Sequence, residues 1–474
     1  MKLNDIKKVH IIGIGGIGVS AVAKMMLKLG KKVTGSDLNS SEIAQTLKSR
    51  GVLIYSKHRK ENLSLDTDLV IYSSAVPKDN PERIQAKILN IPQLSYPEFL
   101  GELSKEKYTI AISGTNGKST TTSILGLILE KAKFDPLVIV GSKVNQSSWD
   151  ENLRMGKSNS CTRKNSVQDE YFVVEACEWQ ANMLNLHPQI IVLTNIEEDH
   201  LDYYKDINDI RKTFQKYIEK LPKNGILIIN GDDKNIQLIL KKIKQRKKKI
   251  KIITFGQNKK ANFQISVSQK KYGVNKFAIQ NNKIKKEFIL QVPGLFNIYN
   301  AVAASVVALK LGVPLNVIKN VLANFKGIWR RFEKIGEKNG AIIISDYAHT
   351  PTAISGTILA AKDFYPFRRI VVVFQPHHRD RTKKLFNGFI KSFNQADFLI
   401  LNEIFDVEGR EDKKDKDISS KDLIKEIKKR PALKNKQVLY AKDIKETKKL
   451  ILKNLKLNDL ILLLGAGDIY KISL

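Results

Sequence analysis

Residues 108–132 read YTIAISGTNGKSTTTSILGLILEKA. An apolar run, a glycine-framed loop and a long apolar helical pattern follow one another. That order is the signature of a nucleotide-binding strand–loop–helix unit in a parallel sheet. The glycines let the backbone of Gly114, Thr115, Asn116 and Gly117 wrap a polyphosphate. Lys118 brings charge to the terminal phosphates, and the hydroxyl of Ser119, followed by Thr120, is suited to a Mg²⁺ ion. The first glycine of the general phosphate-loop pattern is absent, because Ile112 stands there.

Toward the N-terminus, VHIIGIG, KKVTGSD and LVIYSSA alternate with the helical patterns SAVAKMMLKLG and EIAQTLKSRG, which predicts βαβ units. Here a second glycine turn occurs, Gly13, Gly15 and Gly18 in GIGGIG, with Asp37 closing the next strand. Such a turn aims backbone N–H groups and a helix dipole at a diphosphate, and the acidic residue accepts hydrogen bonds from a sugar or base. Alone, this motif reads as an NAD-dependent dehydrogenase, or as a turn kept only for close packing. The second phosphate loop speaks against hydride transfer, which has no use for it.

Toward the C-terminus come YFVVEAC, IIVLTNI and GILIING, short β-rich runs of the kind buried on both faces of a sheet. The polar stretch Met155–Glu170 reads as a surface excursion. After GILIING lie a lysine-rich segment, several alternating polar and apolar stretches, and the helical pattern VPGLFNIYNAVAASVVALKLG. A third βα series starts after GIWRRFE, with AIIISDYAHTP, RRIVVVFQPHHRDR, DFLILNEI and DLILLLGAGD. The expected fold is α/β with three domains: a Rossmann-like domain over residues 1–105, a central P-loop ATPase-like parallel-sheet domain over 106–328, and a Rossmann-like domain over 329–474.

With 474 residues, 42% of them apolar, and no run near the roughly 20 residues that span a bilayer, the chain is expected to be soluble. The basic and apolar start is read as a first strand and turn, not as a signal peptide, which places the protein in the cytoplasm. Cys161 and Cys177 are too few for a disulfide framework and lack metal-ligand spacing. The net charge of +33 invites a nucleic-acid reading. The lysines are nevertheless spread along the whole chain, and the densest run, Lys241–Lys251, contains no aromatic residue on which a base could stack. No nucleic-acid partner and no membrane insertion are expected.

AISGTNGKSTTT resembles the ATP loop of the Mur ligases, the cytoplasmic enzymes that build the peptide of bacterial peptidoglycan. VVEACEWQ, TNIEEDHLDYY, PGLFNIYNAVAA, GIWRRFE, SDYAHTPTAI, FQPHHRDRT and LLLGAGDIY follow in family order and cover nearly the whole chain. HIIGIGGIGVSAVA, VTGSD and VIYSSAVPKDNPE are similar to the branch that joins L-alanine to UDP-N-acetylmuramate. The resemblance implies an ATP- and Mg²⁺-dependent ligase acting through an acyl phosphate, as a monomer or weak homodimer. A sister ligase that attaches a ready-made peptide to the same sugar nucleotide is the nearest rival. A nucleotide-regulated nucleic-acid-binding protein is a more distant one.

The same resemblance implies roles residue by residue. Glu175 joins Ser119 as a metal ligand, and His200, after Asn195, contacts a second metal ion or the nucleotide. Asn297 and Asn300 pair with an adenine edge, while Arg331 and Asp346 reach the ATP phosphates and ribose region. Tyr347, His349 and Arg381 hold the amino acid, Arg381 through its carboxylate. Gly15, Gly16, Ser36, Asp37, His58 and Ser73 face the UDP portion. Some Mur ligases carry a carbamylated lysine, and Lys212 and Lys216 lie in that region. This chain departs from the branch pattern in reading GTNGKS for GTHGKT, EACEW for EADES, Thr350 for a second histidine, and FQPHHRDR for FQPHR. The last change leaves the work of the usual arginine to His378 or Arg379.

Overall fold

Each of the three βα series closes a sheet of its own. The computed structural model describes residues 3–156, 171–244, 249–271, 273–282, 285–406 and 418–474. The first sheet is wholly parallel, its strands ordered Leu53–Tyr55, Lys32–Ser36, Lys8–Ile12, Leu69–Tyr72 and Gln93–Ser95. Strand order reverses at Lys8–Ile12, so a crevice opens beyond the carboxyl ends of that strand and Leu69–Tyr72. The glycine turn leads from this point into the helix Ile17–Lys28. Gly13, at φ 77°, makes the bend, and the N–H groups of Gly13 and Ile14 donate to the carbonyl of Ser36.

Among the described residues the central sheet has ten strands. Its phosphate-loop strand, Tyr108–Ser113, lies between Tyr171–Ala176 and Ile190–Leu193, parallel to both. Register places Ile112 beside Glu175 and Ser113 beside Leu193, so Glu175 and the residues after Leu193 emerge at the edge from which the loop springs. The alternating stretches after Gly256 form three strands, Phe263–Lys271, Val274–Gln280 and Lys285–Leu290, paired antiparallel as an extension of the sheet. Alternation suits them because one face packs on a core while the other meets water. The helices Lys118–Lys131, Leu295–Lys310 and Leu315–Asn324 cover the buried face.

Among the described residues the third sheet orders six strands as Glu333–Lys338, Ala341–Asp346, Asp459–Leu464, Arg369–Phe374, Phe398–Asn402 and Gln437–Ala441, the first of them antiparallel and the others parallel. Three α/β domains are thus present. Most of the stretch Met155–Glu170, including Cys161, and residues 245–248 of the lysine-rich run lie outside the described residues. Among the described residues no helix is long and apolar enough to cross a membrane.

A charged seam joins the first sheet's layer to the second. Lys24 is only 1% exposed, yet its ammonium meets Glu151 at 2.5 Å and Asn152 at 2.9 Å. Arg50 reaches Asp150 at 2.6 Å, and Lys143 bridges Glu42 and Glu151. A buried ammonium is tolerated because each donor finds an oxygen. Burial drives the Lys24 pKa down, and Glu151 and Asp150 only partly offset this.

Candidate functional site

A cleft of about 1100 Å³ runs between the three sheets. Gly16, Ser73 and Tyr96 of the first layer line it, together with Thr115, Asn116, Gly117, Lys118, Ser119, Glu175, Glu178, Asp199 and His200 of the second. Arg331, Tyr347, His349, His377, His378 and Arg381 line it from the third.

The phosphate loop is shaped by glycines that no other residue replaces. Gly114 and Gly117 sit at φ 127° and 86°, and added Cβ atoms would stand 2.2 Å from Thr194 Oγ1 and from Asn300 Oδ1 respectively. The loop is braced from behind, where the Asn116 N–H donates to Asn195 Oδ1 at 2.9 Å and Thr194 Oγ1 donates to the Asn116 carbonyl at 2.6 Å. Lys118 curls over the loop and donates to the carbonyls of Gly114 (2.6 Å) and Thr115 (2.9 Å). Its third partner is Glu178, 2.8 Å away and 3% exposed. Burial opposes the charge on Lys118, but Glu178 carries its pKa above the ordinary lysine value.

Ser119 Oγ donates to Glu175 Oε2 at 3.1 Å, and the carboxylate's other oxygen accepts the Gly141 N–H at 2.5 Å. Burial pushes the Glu175 pKa up, the reverse of what its hydrogen bonds do. A carboxylate so penalised and set beside a phosphate-loop hydroxyl is suited to a hard cation, which would restore its charge. His200, at φ 53°, is not part of that pair. Its Nε2 stands 3.7 Å from Glu178 and 3.8 Å from Asp199. No group of three or more His, Cys, Asp or Glu side chains converges as a metal cage among the described residues.

Asp199 is the junction with the third domain. Arg381 donates to it at 3.1 Å, and His349 Nε2 lies 3.7 Å away. Burial would raise its pKa, but His349, Arg381 and His200 hold it well below the carboxylate range. His349 is fixed from its other side by the Tyr347 carbonyl, 2.8 Å from Nδ1. Lys384 donates to the Leu201 carbonyl at 2.7 Å across the same gap. Arg379 pairs with Asp406 at 2.7 Å, and both line the cleft beside His378, which sits at φ 67°.

The hinge before the third sheet is tightly held. Trp329 donates its N–H to Lys143 and accepts at its carbonyl from Ser142, while its ring meets Tyr470 edge to face at 5.4 Å. Arg330 and Phe332, at φ 55° and 52°, flank Arg331. The buried Arg330 guanidinium lies 4.2 Å from the centroid of Tyr470 and 4.9 Å from that of Tyr347, and donates to the carbonyls of Gly465 and Gly467. Asp346 fastens this turn by accepting the N–H groups of Phe332 (2.7 Å) and Ala348 (2.8 Å), and Arg331 lies over Tyr347 at 4.9 Å.

Other expected site residues stand further back. Asn297 and Asn300 are buried on the helix Leu295–Lys310, where Asn297 donates to Pro293 and Asn300 stands against Gly117. Gly15 gives its N–H to Asp37 at 2.8 Å, leaving Gly16 as the member of that pair in the cleft wall. Ser36 is fully buried and donates to Glu82 at 2.6 Å, and His58 Nδ1 lies 3.0 Å from both. Asn62 and His10 complete the circle around Glu82, at 2.5 Å and 3.5 Å. Lys212 and Lys216 are exposed on the helix Ile207–Ile218 and do not line the cleft. Glu178, Asp199, Arg330 and Glu82 escape a reading of the sequence. Only the acidic residues packed after two strand ends, in EACEW and IEEDH, offered a signal.

Three family models match in succession: the Mur ligase family catalytic domain over residues 8–108, the Mur ligase middle domain over 112–308, and the Mur ligase glutamate ligase domain over 330–467. A UDP-N-acetylmuramate–L-alanine ligase of Clostridium botulinum (strain Kyoto, type A2) is 41% identical over 470 residues, 98% of this chain and 96% of that protein. Its namesake in Caldanaerobacter subterraneus subsp. tengcongensis is 37% identical over 473 residues, 99% of this chain and 97% of that protein. Among solved structures, the UDP-N-acetylmuramate-alanine ligase MurC of Thermotoga maritima superposes with a TM-score of 0.79 at 27% identity, covering 98% of this chain and 96% of its own. A murein peptide ligase of Psychrobacter arcticus shares the fold, with a TM-score of 0.73 at 24% identity over 98% and 97% of the two chains. The chain belongs to the Mur ligase family.

Proposed function

We propose that this protein joins L-alanine to the lactyl carboxylate of UDP-N-acetylmuramate at the expense of ATP, in the synthesis of peptidoglycan precursors. The observation that carries the reading is the meeting, in one cleft, of Lys118, Ser119 and Glu175 with Arg331, His349 and Arg381. Full-length relatives at about 40% identity that bear this activity's name support it. Residues 1–105 hold the sugar nucleotide, 106–328 hold ATP, and 329–474 bring the amino acid. ATP, the phosphoryl donor, is a cytoplasmic metabolite, and the reaction is accordingly assigned to the cytoplasm.

The lactyl carboxylate attacks the γ-phosphorus of ATP, giving an acyl phosphate and ADP. The amine of L-alanine then attacks the acyl carbon, and phosphate leaves from the tetrahedral intermediate. Lys118 neutralises charge on the transferring phosphate, and Arg331 approaches it from the third domain. Ser119 and Glu175 would hold Mg²⁺, with His200 on the nearby wall, and that ion supplies neutralisation of phosphate charge. Arg381 binds the carboxylate of the amino acid, with Tyr347 and His349 beside it. Docking of the third domain on Asp199 and Leu201 shields the acyl phosphate from water.

The test is phosphate release from ATP and Mg²⁺ in the presence of UDP-N-acetylmuramate, comparing L-alanine, glycine, L-serine and the cell-wall tripeptide. Release that needs both the sugar nucleotide and L-alanine, and is lost in Lys118→Ala, is expected. Release with the tripeptide alone would reassign the protein to peptide recycling, and none with any acceptor would overturn the reading.

A further inference from the structure

The first layer also delivers the phenol of Tyr96 to the cleft wall, beside Gly16 and Ser73. Ser95 pairs with Tyr72 at the carboxyl end of the first sheet, and the next residue, Tyr96, opens the helix Tyr96–Lys105 under a Ser95–Glu98 capping box. Tyr96 therefore emerges beside Ser73, at the crevice where strand order reverses. The phenol end of its ring lies against Gly18, where a Cβ would stand 2.9 Å from Cζ and 3.0 Å from the hydroxyl oxygen. The last glycine of GIGGIG thus makes room for a tyrosine from another segment.

Three features turn this contact into a ligand site. Tyr96 lines the cleft and is only partly buried, and its hydroxyl makes no hydrogen bond with the described residues. The helix Ile17–Lys28 beneath it starts at Gly16 with no side-chain cap, so its first amide N–H groups face the same space. Burial, helped by Glu175 and Cys177, pushes the phenol pKa up, so the hydroxyl stays a proton donor throughout the working pH range. A donor above an uncapped helix start, with no acceptor from the protein, selects an anionic oxygen.

We propose that the Tyr96 hydroxyl donates a hydrogen bond to the diphosphate of the sugar nucleotide, and that Gly18 is glycine so that the ring can lie over the helix start. The proposal rests on the nucleotide reading above and adds a binding residue to it. It also sets the diphosphate on the flank of the cleft nearest Glu175 and Ser119, toward the phosphate loop.

Tyr96→Phe removes the donor and keeps the ring. Titration calorimetry with UDP and with UDP-N-acetylmuramate is expected to show Kd rising about tenfold or more for both, the loss of one hydrogen bond to a charged group, with ATP affinity unchanged. Gly18→Ala, which pushes the ring away, is expected to weaken both ligands in the native background and to add nothing in Tyr96→Ala. Unchanged Kd values in Tyr96→Phe, or a loss confined to UDP-N-acetylmuramate with UDP unaffected, would overturn the diphosphate assignment. If the unsubstituted protein binds UDP but no acceptor supports phosphate release, the ligase reading fails while this one stands. If it binds neither nucleotide, both fail.

Discussion

Glu82 offers the sharpest quantitative test of the physical account. Its carboxylate is fully buried, accepts from Ser36 at 2.6 Å and Asn62 at 2.5 Å, and faces His58 at 3.0 Å and His10 at 3.5 Å. Burial alone would raise its pKa, but these partners hold it at about 2, against 4.5 for a free glutamate. A depressed carboxylate pKa contributes stability above the unfolded value and loses it as pH falls through the folded one. Holding the carboxyl that far below its free value corresponds to about 3 kcal/mol at pH 7. Glu82→Gln should therefore lower the opening free energy of the first domain by about 3 kcal/mol at pH 7. The gap to the native protein should narrow steadily between pH 4.5 and pH 2. Because the chain has three domains, a whole-protein melt would blur the effect, whereas amide hydrogen exchange in residues 8–36 reads this domain directly. A difference below about 0.5 kcal/mol at pH 7, or one that persists unchanged at low pH, would refute the reasoning.

Two further substitutions probe the cleft. Gly117→Ala sets a Cβ 2.2 Å from Asn300 Oδ1 at φ 86°, so ATP affinity measured by calorimetry should fall at least about tenfold while the far-UV spectrum is retained. Asp199→Asn removes the charge that Arg381 and His349 share; at the partial exposure of that pair we expect about 2 kcal/mol of lost interdomain contact, seen as a larger radius in X-ray scattering and a raised KM for L-alanine with ATP binding intact.

The parts of the site that the sequence makes legible are those encoded locally. The glycines around Lys118 have positive φ because the turn demands it, and their spacing is visible in seven consecutive residues. Glu175 could be placed because a residue that ends a strand next to the loop strand must face the same edge, and Ile112 is indeed its register partner. What remained hidden are partnerships made across sequence separations that no local pattern carries. Ser36 and Glu82 are 46 residues apart, Lys118 and Glu178 are 60, and Asp199 and Arg381 are 182. Hence Ser36 and His58 read from the sequence only as residues facing a ligand, and their bonds to the buried Glu82 carboxylate are visible only in the structure. The central sheet's antiparallel extension was visible only as alternation, because the turns between its strands bear no strong signature.

The seat of Trp329 has a practical consequence. The chain carries three tryptophans, and this one lies at the hinge, touching Lys143 of the central layer and Tyr470 of the third. Trp179 borders the cleft itself, and Trp149 is packed against Gly126 inside the central layer. Indole emission shifts with the polarity and charge around the ring. Trp179 is thus an intrinsic optical reporter of cleft occupancy, Trp329 one of hinge movement, and Trp149 an internal reference. Single-tryptophan variants would let stopped-flow traces separate ligand arrival from domain closure without an attached dye.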